Sequence, residues 1–366
     1  MYHHDSSDLE LRLQRVQQAI DRFAQGEMVI LSDDEKRENE GDVIFPAETV
    51  SPEKINFMAK EARGLICLAL GRRFIERLKL PMMHDHSKGG SPFGTAFTVS
   101  IEARTGVTTG ISAADRSRTI QVAVADESGP EDLIVPGHIF PLKAKDGGVL
   151  ERAGQTEGSV DLARLAGRKE AAVICEIMHD DGTMARAQDL VIFSEKHKIP
   201  LLAIEDLILY RLLHDKFVFE IKREPHFVTS AGTFLAVWFQ SQLDKSVHLA
   251  LVKGEISSQT CVDVRVHKQD PLADTFFKNS RLSYGLRMLA ESRSAVLVCL
   301  RNPDPTGLLP FSASDAKPDP RQLGIGAQIL RELSVSKMRL HAKSQRSLVG
   351  LSGFGLQIED TVIFDA

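Results

Sequence analysis

Residues 28–48 read MVILSDDEKRENEGDVIFPAE. Met28 to Leu31 is a short apolar run of strand type, and Val43-Ile44-Phe45 begins another. Between them, residues 32–42 carry six carboxylates in eleven positions, with Arg37 among them. Such a run reads two ways. A block of like charge is commonly a solvated surface segment. Clustered carboxylates are also what a hard divalent cation such as Mg²⁺ requires, and α/β proteins place their sites where an apolar strand ends in a loop. Gly41 is expected to turn the chain sharply before the second strand.

Working outward, Leu9, Leu13, Val16, Ile20 and Phe23 recur at helical spacing before that strand. After it the chain alternates: helix over 52–62, strand 65–70, helix 112–125, strand 171–177, helix 186–198, strand 200–204, helix 205–214. Ser112 with Asp115 three residues on predicts a capping box. Alternation of this kind indicates an α/β fold without fixing strand order. From Val218 the chain becomes strand-rich (218–222, 233–239, 247–252, 262–266). Helix 281–292, strand 295–300 and helix 322–333 follow. The change of character near Lys216 predicts two domains, 1–214 and 217–366, as a length of 366 residues suggests.

Apolar residues make up 43% and charged residues 26%, with a formal net charge of −5. That balance points to no nucleic acid and no anionic membrane as partner. No apolar run approaches the roughly 20 residues that span a bilayer, and the polar N-terminus does not read as a signal peptide. The four cysteines, Cys67, Cys175, Cys261 and Cys299, form no CxxC pair. They suit reduced thiols in the cytoplasm.

The acidic run DDEKRENEGD followed by IFPAE resembles the signature of 3,4-dihydroxy-2-butanone-4-phosphate synthases. Matching segments follow in order: GLICL (64–68), GVTTGISAADR (106–116), PGHIFPL (136–142), GGVLERAGQTEGSVD (147–161), Cys175-Glu176 and DDGTMAR (180–186). The resemblance covers about 200 residues and implies a mixed-sheet α/β domain. It also implies a magnesium- or manganese-dependent lyase of riboflavin biosynthesis, acting on ribulose 5-phosphate and releasing formate as a homodimer. Carried onto this chain, it makes Glu38 a metal ligand and Arg37, Glu38 and Asp42 substrate contacts. Glu40, His138 and Glu176 become catalytic groups. Thr109, Arg152, Gln155 and Thr156 become substrate contacts, with Arg152 and Thr156 flanking a small-residue loop for phosphate. On the residues alone His138 reads first as a structural histidine held by a turn after Pro136-Gly137, and Cys67 at least as readily as a packed thiol as a group facing the site.

Two positions depart from the pattern. Gln155 stands where the family has its second metal-ligating histidine; an amide oxygen is a neutral, weaker ligand and cannot exchange a proton. The segment 82–96 carries His84, Asp85 and His86 in place of an asparagine- and threonine-containing stretch. One of those imidazoles is a candidate substitute ligand.

In the second half VRVH (264–267), LGIGAQILREL (323–333) and GLSGFGLQI (350–358) resemble GTP cyclohydrolase II. That family holds Zn²⁺ on three cysteines. Here Lys268-Gln269-Asp270 and KNSRLSYG (278–285) stand in their places, PDPTG (303–307) replaces an arginine-bearing segment, and Leu323 replaces a tyrosine. No zinc and no GTP opening are expected, and Gly324–Gly326, read as opening a helix, could serve an anion. Two functions are therefore in view: a synthase with an inactive cyclohydrolase-like domain, or a catalytically impaired paralogue that binds a phosphorylated metabolite or regulates riboflavin synthesis.

Overall fold

The computed structural model describes residues 3–34, 37–83, 94–276, 281–302, 320–343 and 351–364. They form two compact units, Leu11–Tyr210 and a second made of Met1–Glu10 with Arg211–Ala366. His84, Asp85, His86, residues 278–280 and residues 303–307 lie outside the described residues.

From the N-terminus the elements are α1 (His3–Ala24), β1 (Val29–Ser32), β2 (Gly41–Pro46), α2 (Pro52–Phe57), β3 (Cys67–Leu70), α3 (Arg72–Arg77) and β4 (Ile101–Ala103). They continue with α4 (Ala113–Val124), β5 (Leu133–Lys143), α5 (Gln155–Leu165), β6 (Ala171–Glu176), α6 (Ala187–His197), β7 (Leu201–Ala203) and α7 (Ile204–His214). The sheet of the first unit runs β4-β5-β3-β6-β2-β1-β7. It is mixed: β1 is parallel to β7 and β3 to β5, while β1–β2, β2–β6, β3–β6 and β4–β5 are antiparallel. Its central strands are apolar on both faces because both are covered. On one face Ile30, Val43, Leu68, Val173 and Cys175 pack with Ile55 of α2 and Ile120 of α4. On the other lies α5, where Gly158 brings the helix so close that an added Cβ would sit 2.6 Å from Leu31.

The second unit continues with β8 (Val218–Thr229), β9 (Gly232–Ser241), β10 (Val247–Lys253), β11 (Cys261–Lys268), α8 (Pro271–Phe276), α9 (Arg281–Glu291), β12 (Ala295–Leu300), α10 (Pro320–Glu332), β13 (Lys337–Ala342) and β14 (Gln357–Ile363). The order is β14-β13-β11-β12-β10-β9-β8, parallel from β14 to β12 and antiparallel from β12 to β8. Met288 and Leu289 of α9 close a core on Leu251, Ala295 and Leu297.

Several local expectations change. Gly41 does not turn the chain; it is the first residue of β2, and a side chain there would strike Leu190. The left-handed residue is Asn39, at φ 54°. The helix expected over 52–62 ends at Phe57, and the chain continues through a π turn that closes at Arg63, φ 72°. Ser112 does accept a hydrogen bond from the Asp115 N–H at 3.0 Å, but the Asp115 carboxylate serves the preceding loop instead, so the capping box is half formed. RAGQT is not a loop throughout, because Gln155 and Thr156 open α5 after Gly154. Gly324 lies inside α10, which starts at Pro320; its bare Cα lets Leu212 approach, so it opens no anion site. Among the described residues no helix is long and apolar enough to cross a membrane.

Candidate active site

Strand register builds the centre of the site. Leu31 pairs with Asp42, and Asp42 with Glu176. Partners across a strand pair point to the same face, and Leu31 faces α5, so both carboxylates lie on the α5 side. Asp42 is 4% exposed. Burial pushes its carboxyl well above the usual range, and the charges of Glu176, Glu38, Glu40 and Asp33 push it further. Glu176 is raised too, by burial first, although the Leu65 N–H donates to its Oε2 at 2.8 Å. Two like charges facing each other titrate as a pair. Gly64 lies directly beneath, donating to the Glu176 carbonyl at 3.1 Å, where any Cβ would overlap the glutamate. Cys67 is buried one row away on the same face, pairing with Ile174, and its thiol is raised by burial and then by Glu176 and Asp42.

The acidic loop is ordered by a residue that sequence reasoning did not single out. Asp33 accepts from the N–H groups of Glu38 (3.2 Å) and Glu40 (2.8 Å) and from Arg37 Nη1 (2.6 Å). This side-chain-to-backbone pattern is the ordinary use of Asp in a turn, so it gave no separate signal among six carboxylates. From the far side Arg186 donates to the Glu38 and Asn39 carbonyls and reaches Glu40 at 3.3 Å. Burial raises the Glu40 carboxyl and Arg186 opposes the rise.

Arg37 joins this loop to α5. Its Nη1 donates to Glu38 Oε2 at 2.9 Å and to Gln155 Oε1 at 2.8 Å, and its Nη2 to Glu38 Oε1 at 3.2 Å. Because arginine only donates, the Gln155 amide is fixed with its oxygen toward Arg37. Its nitrogen is then buried without a hydrogen-bond partner among the described residues. Thr156, 5% exposed, follows in the first turn of α5. Arg152 is turned inward: Nη1 pairs with buried Glu157 at 2.5 Å and Nη2 donates to Thr95 at 3.0 Å.

His138 is set apart from the acidic loop. It lies in β5 rather than in a turn, and its Nδ1 is 2.7 Å from Glu102 Oε2. The other Glu102 oxygen accepts from Thr119 at 2.5 Å. Glu102 is buried and was not anticipated; it sits in a short strand whose register with β5 shifts at that point, and spacing along a chain does not reveal a bulge. Gly110, at φ 88°, packs so tightly on Glu102 and His138 that a Cβ there would overlap both. The loop holding Thr109 is thereby placed beside His138, tied down by Asp115, which accepts from Thr108 Oγ1 (2.7 Å) and the Gly110 N–H (3.1 Å). Thr109 itself is exposed. β3 separates β5 from β6, so His138 and Glu176 stand about 10 Å apart by strand spacing.

Among the described residues no group of three or more His, Cys, Asp or Glu is set to hold a metal ion. The donor set is nevertheless suited to one. Glu38 Oε2 and Gln155 Oε1 converge on a single cationic nitrogen, and both are hard oxygen donors of the kind Mg²⁺ takes.

Fold and site together define a two-domain α/β protein with a carboxylate-rich site at one strand end beside a helix N-terminus. Residues 17–210 match the sequence model of 3,4-dihydroxy-2-butanone 4-phosphate synthase, and residues 220–363 that of GTP cyclohydrolase II. A 3,4-dihydroxy-2-butanone 4-phosphate synthase of Pseudomonas aeruginosa is 45% identical, over 95% of this chain and 98% of that one. The crystal structure of a two-domain 3,4-dihydroxy-2-butanone 4-phosphate synthase from A. baumannii is similar at TM-score 0.79 and 42% identity, covering 95% of this chain and 99% of that one. A further synthase, solved in complex with two magnesium ions, matches 53% of this chain and 94% of its own at TM-score 0.51 and 39% identity. This chain belongs to the 3,4-dihydroxy-2-butanone 4-phosphate synthase family, in a form that carries a GTP cyclohydrolase II domain behind the synthase domain.

Proposed function

We propose that this chain is a working 3,4-dihydroxy-2-butanone 4-phosphate synthase, converting ribulose 5-phosphate to the four-carbon ketone phosphate and formate in riboflavin biosynthesis. The observation that carries the reading is the facing Asp42–Glu176 pair, with Asp42 buried and Glu176 half-buried, beside Arg37, Glu38 and Gln155. Glu38 and Gln155 would hold Mg²⁺ or Mn²⁺, and a cation there would polarise substrate oxygens and gather developing alkoxide charge. Asp42 and Glu176 face the same space, and burial raises both carboxyls, as suits groups that take and return protons. His138, its Nδ1 committed to Glu102, offers Nε2 as a second acid/base. Glu40 keeps the loop carbonyls in place through Arg186. Arg37, Thr109, Arg152 and Thr156 supply cationic and hydroxyl groups for the substrate and its phosphate. The buried Gln155 nitrogen is a donor awaiting a substrate oxygen.

Purified chain incubated with ribulose 5-phosphate and Mg²⁺ is expected to release formate, one per substrate consumed. A second reading, an impaired paralogue that only binds the sugar phosphate, is favoured by the engagement of Gln155 Oε1 with Arg37. Formate no higher than the blank, restored by Gln155→His, would establish it.

The same proposal divides the chain into a synthase domain, 1–214, and a cyclohydrolase-like domain, 217–366, the second without zinc. Asp270 immediately precedes α8, where its carboxylate accepts from the Ala273 N–H at 3.0 Å. Cys261 opens β11 while Cys299 pairs with His267 near its end, about 20 Å away at the usual rise per residue. These two thiols cannot share an ion. Metal analysis of the full chain is expected to find less than one tenth of a zinc per chain, on the order of a contaminant; stoichiometric zinc would overturn this part. We place the protein in the cytoplasm as a homodimer, following the family resemblance.

A further inference from the structure

Glu38 and Gln155 do not wait for a metal with open hands: their oxygens are already satisfied by the guanidinium of Arg37. We propose that Arg37 is a resident stand-in for the cation, which must be displaced from between Glu38 and Gln155 before a divalent ion can bind, and whose release hands its guanidinium to the substrate. The proposal rests on the cation reading above and adds an exchange to it.

The geometry leaves little alternative to exchange. Two oxygens bound to one Mg²⁺ at about 2.0–2.1 Å lie at most about 4.2 Å apart. At present they flank Nη1 at 2.9 and 2.8 Å. An ion between them takes the position that Nη1 occupies, and two cationic centres cannot share it. The 2.6 Å contact of Arg37 with Asp33 is made by the same Nη1 and moves with it, whereas Asp33 is held separately by the Glu38 and Glu40 N–H groups. Asp33 therefore still holds the loop backbone through those two N–H groups when Nη1 moves. The exchange also explains how a cluster of carboxylates is kept assembled between turnovers, since one positive charge replaces another. Because Gln155 brings a neutral amide, the balance between guanidinium and metal is closer than it would be for two carboxylates. The order of events follows: the ion enters first, and only then is Arg37 available to a phosphate.

Mn²⁺ titration of the metal-stripped full chain, followed by the electron paramagnetic resonance of free Mn²⁺, tests this without reference to activity. Arg37→Gln is expected to lower the Kd for Mn²⁺ about tenfold, the scale of one charge-assisted hydrogen bond no longer to be broken. Arg37→Lys keeps the charge but loses the planar fork, and is expected to lower Kd about threefold or more. Arg186→Gln removes an equal charge from the loop carbonyls and Glu40, not from Glu38 Oε2 or Gln155, and is expected to leave Kd within about threefold. Equal or weaker binding in both Arg37 variants would overturn the exchange, as would an Arg186 variant that tightens as much as Arg37→Gln. If neither wild type nor any variant binds Mn²⁺, the metal site itself is wrong; if wild type binds and the Arg37 variants match it, only the exchange is wrong.

Discussion

Replacing His138 by asparagine is expected to lower kcat about 10²- to 10⁴-fold, the usual range for loss of a positioned acid/base group, with little change in KM or in melting temperature. The expectation rests on the way the imidazole is held. Its Nδ1 faces Glu102 Oε2 at 2.7 Å, so the acceptor-only carboxylate selects the tautomer with the proton on Nδ1 and leaves Nε2 as the working atom. Glu102 is fixed in turn, because its other oxygen accepts from Thr119, whose hydroxyl oxygen accepts from the Ala103 N–H at 3.0 Å. The histidine side chain is 44% exposed while the glutamate is 7% exposed, the arrangement of an open functional group on a buried support. Glu102→Gln is therefore expected to lower kcat about tenfold or more at unchanged KM, as a positioning residue does. Nitrogen chemical shifts of His138 supply a readout that packing alone would not move: wild type should show one protonated Nδ1, and Glu102→Gln a mixture of tautomers. A His138→Asn enzyme with full kcat would remove the histidine from the mechanism. An unchanged tautomer in Glu102→Gln would reduce the glutamate to packing.

The contrast between these two residues marks what could be read in advance. His138 sits in a motif, PGHIFPL, and the resemblance singled it out. Glu102 sits in a strand of three residues that no periodicity announces, and its partner is 36 positions away across a register shift. The central strands β1, β2, β3 and β6 were legible because burial on both faces makes them continuous apolar runs. β5 was not, since Pro136, Gly137 and His138 interrupt its pattern and several of its residues are exposed. Register was equally hidden. That Asp42 would stand opposite Glu176 follows from antiparallel pairing between segments more than a hundred residues apart, which the chain order does not state. Arg37 shows a third kind of limit: its place in the acidic run implied a substrate contact, but its hold on Gln155 depends on where α5 begins.

The Asp42–Glu176 pair makes the second large effect, in which stability and activity move in opposite directions. Burial raises the Asp42 carboxyl well above its ordinary value of 3.8, and Glu176 above 4.5. A carboxyl whose folded pKa is raised contributes stability that is complete below its unfolded pKa, and that contribution is lost as pH climbs through the folded value. In the metal-free protein the pair should accordingly favour the native state at about pH 4 and below, and weaken it progressively on the way to neutrality. Asp42→Asn removes one member of the facing pair, leaving a neutral side chain that Glu176 does not repel. At neutral pH the variant should be more stable by about 1 kcal/mol, the scale of like charges set opposite each other in a sheet. For a domain of this size that is about 2–4 °C in melting temperature, and the gap should close as the pH is lowered toward 4. Turnover should fall about 10²-fold or more in the same variant, because a carboxamide neither accepts nor returns a proton. Functional sites commonly retain groups that destabilise the fold, and here the destabilisation has a defined source in two carboxylates facing each other in one row of a sheet. Melting curves of the EDTA-treated wild type and variant across that pH range decide the matter. A variant that melts lower than wild type at neutral pH would show that Asp42 stabilises the folded chain, and the origin assigned to its raised pKa would have to be abandoned.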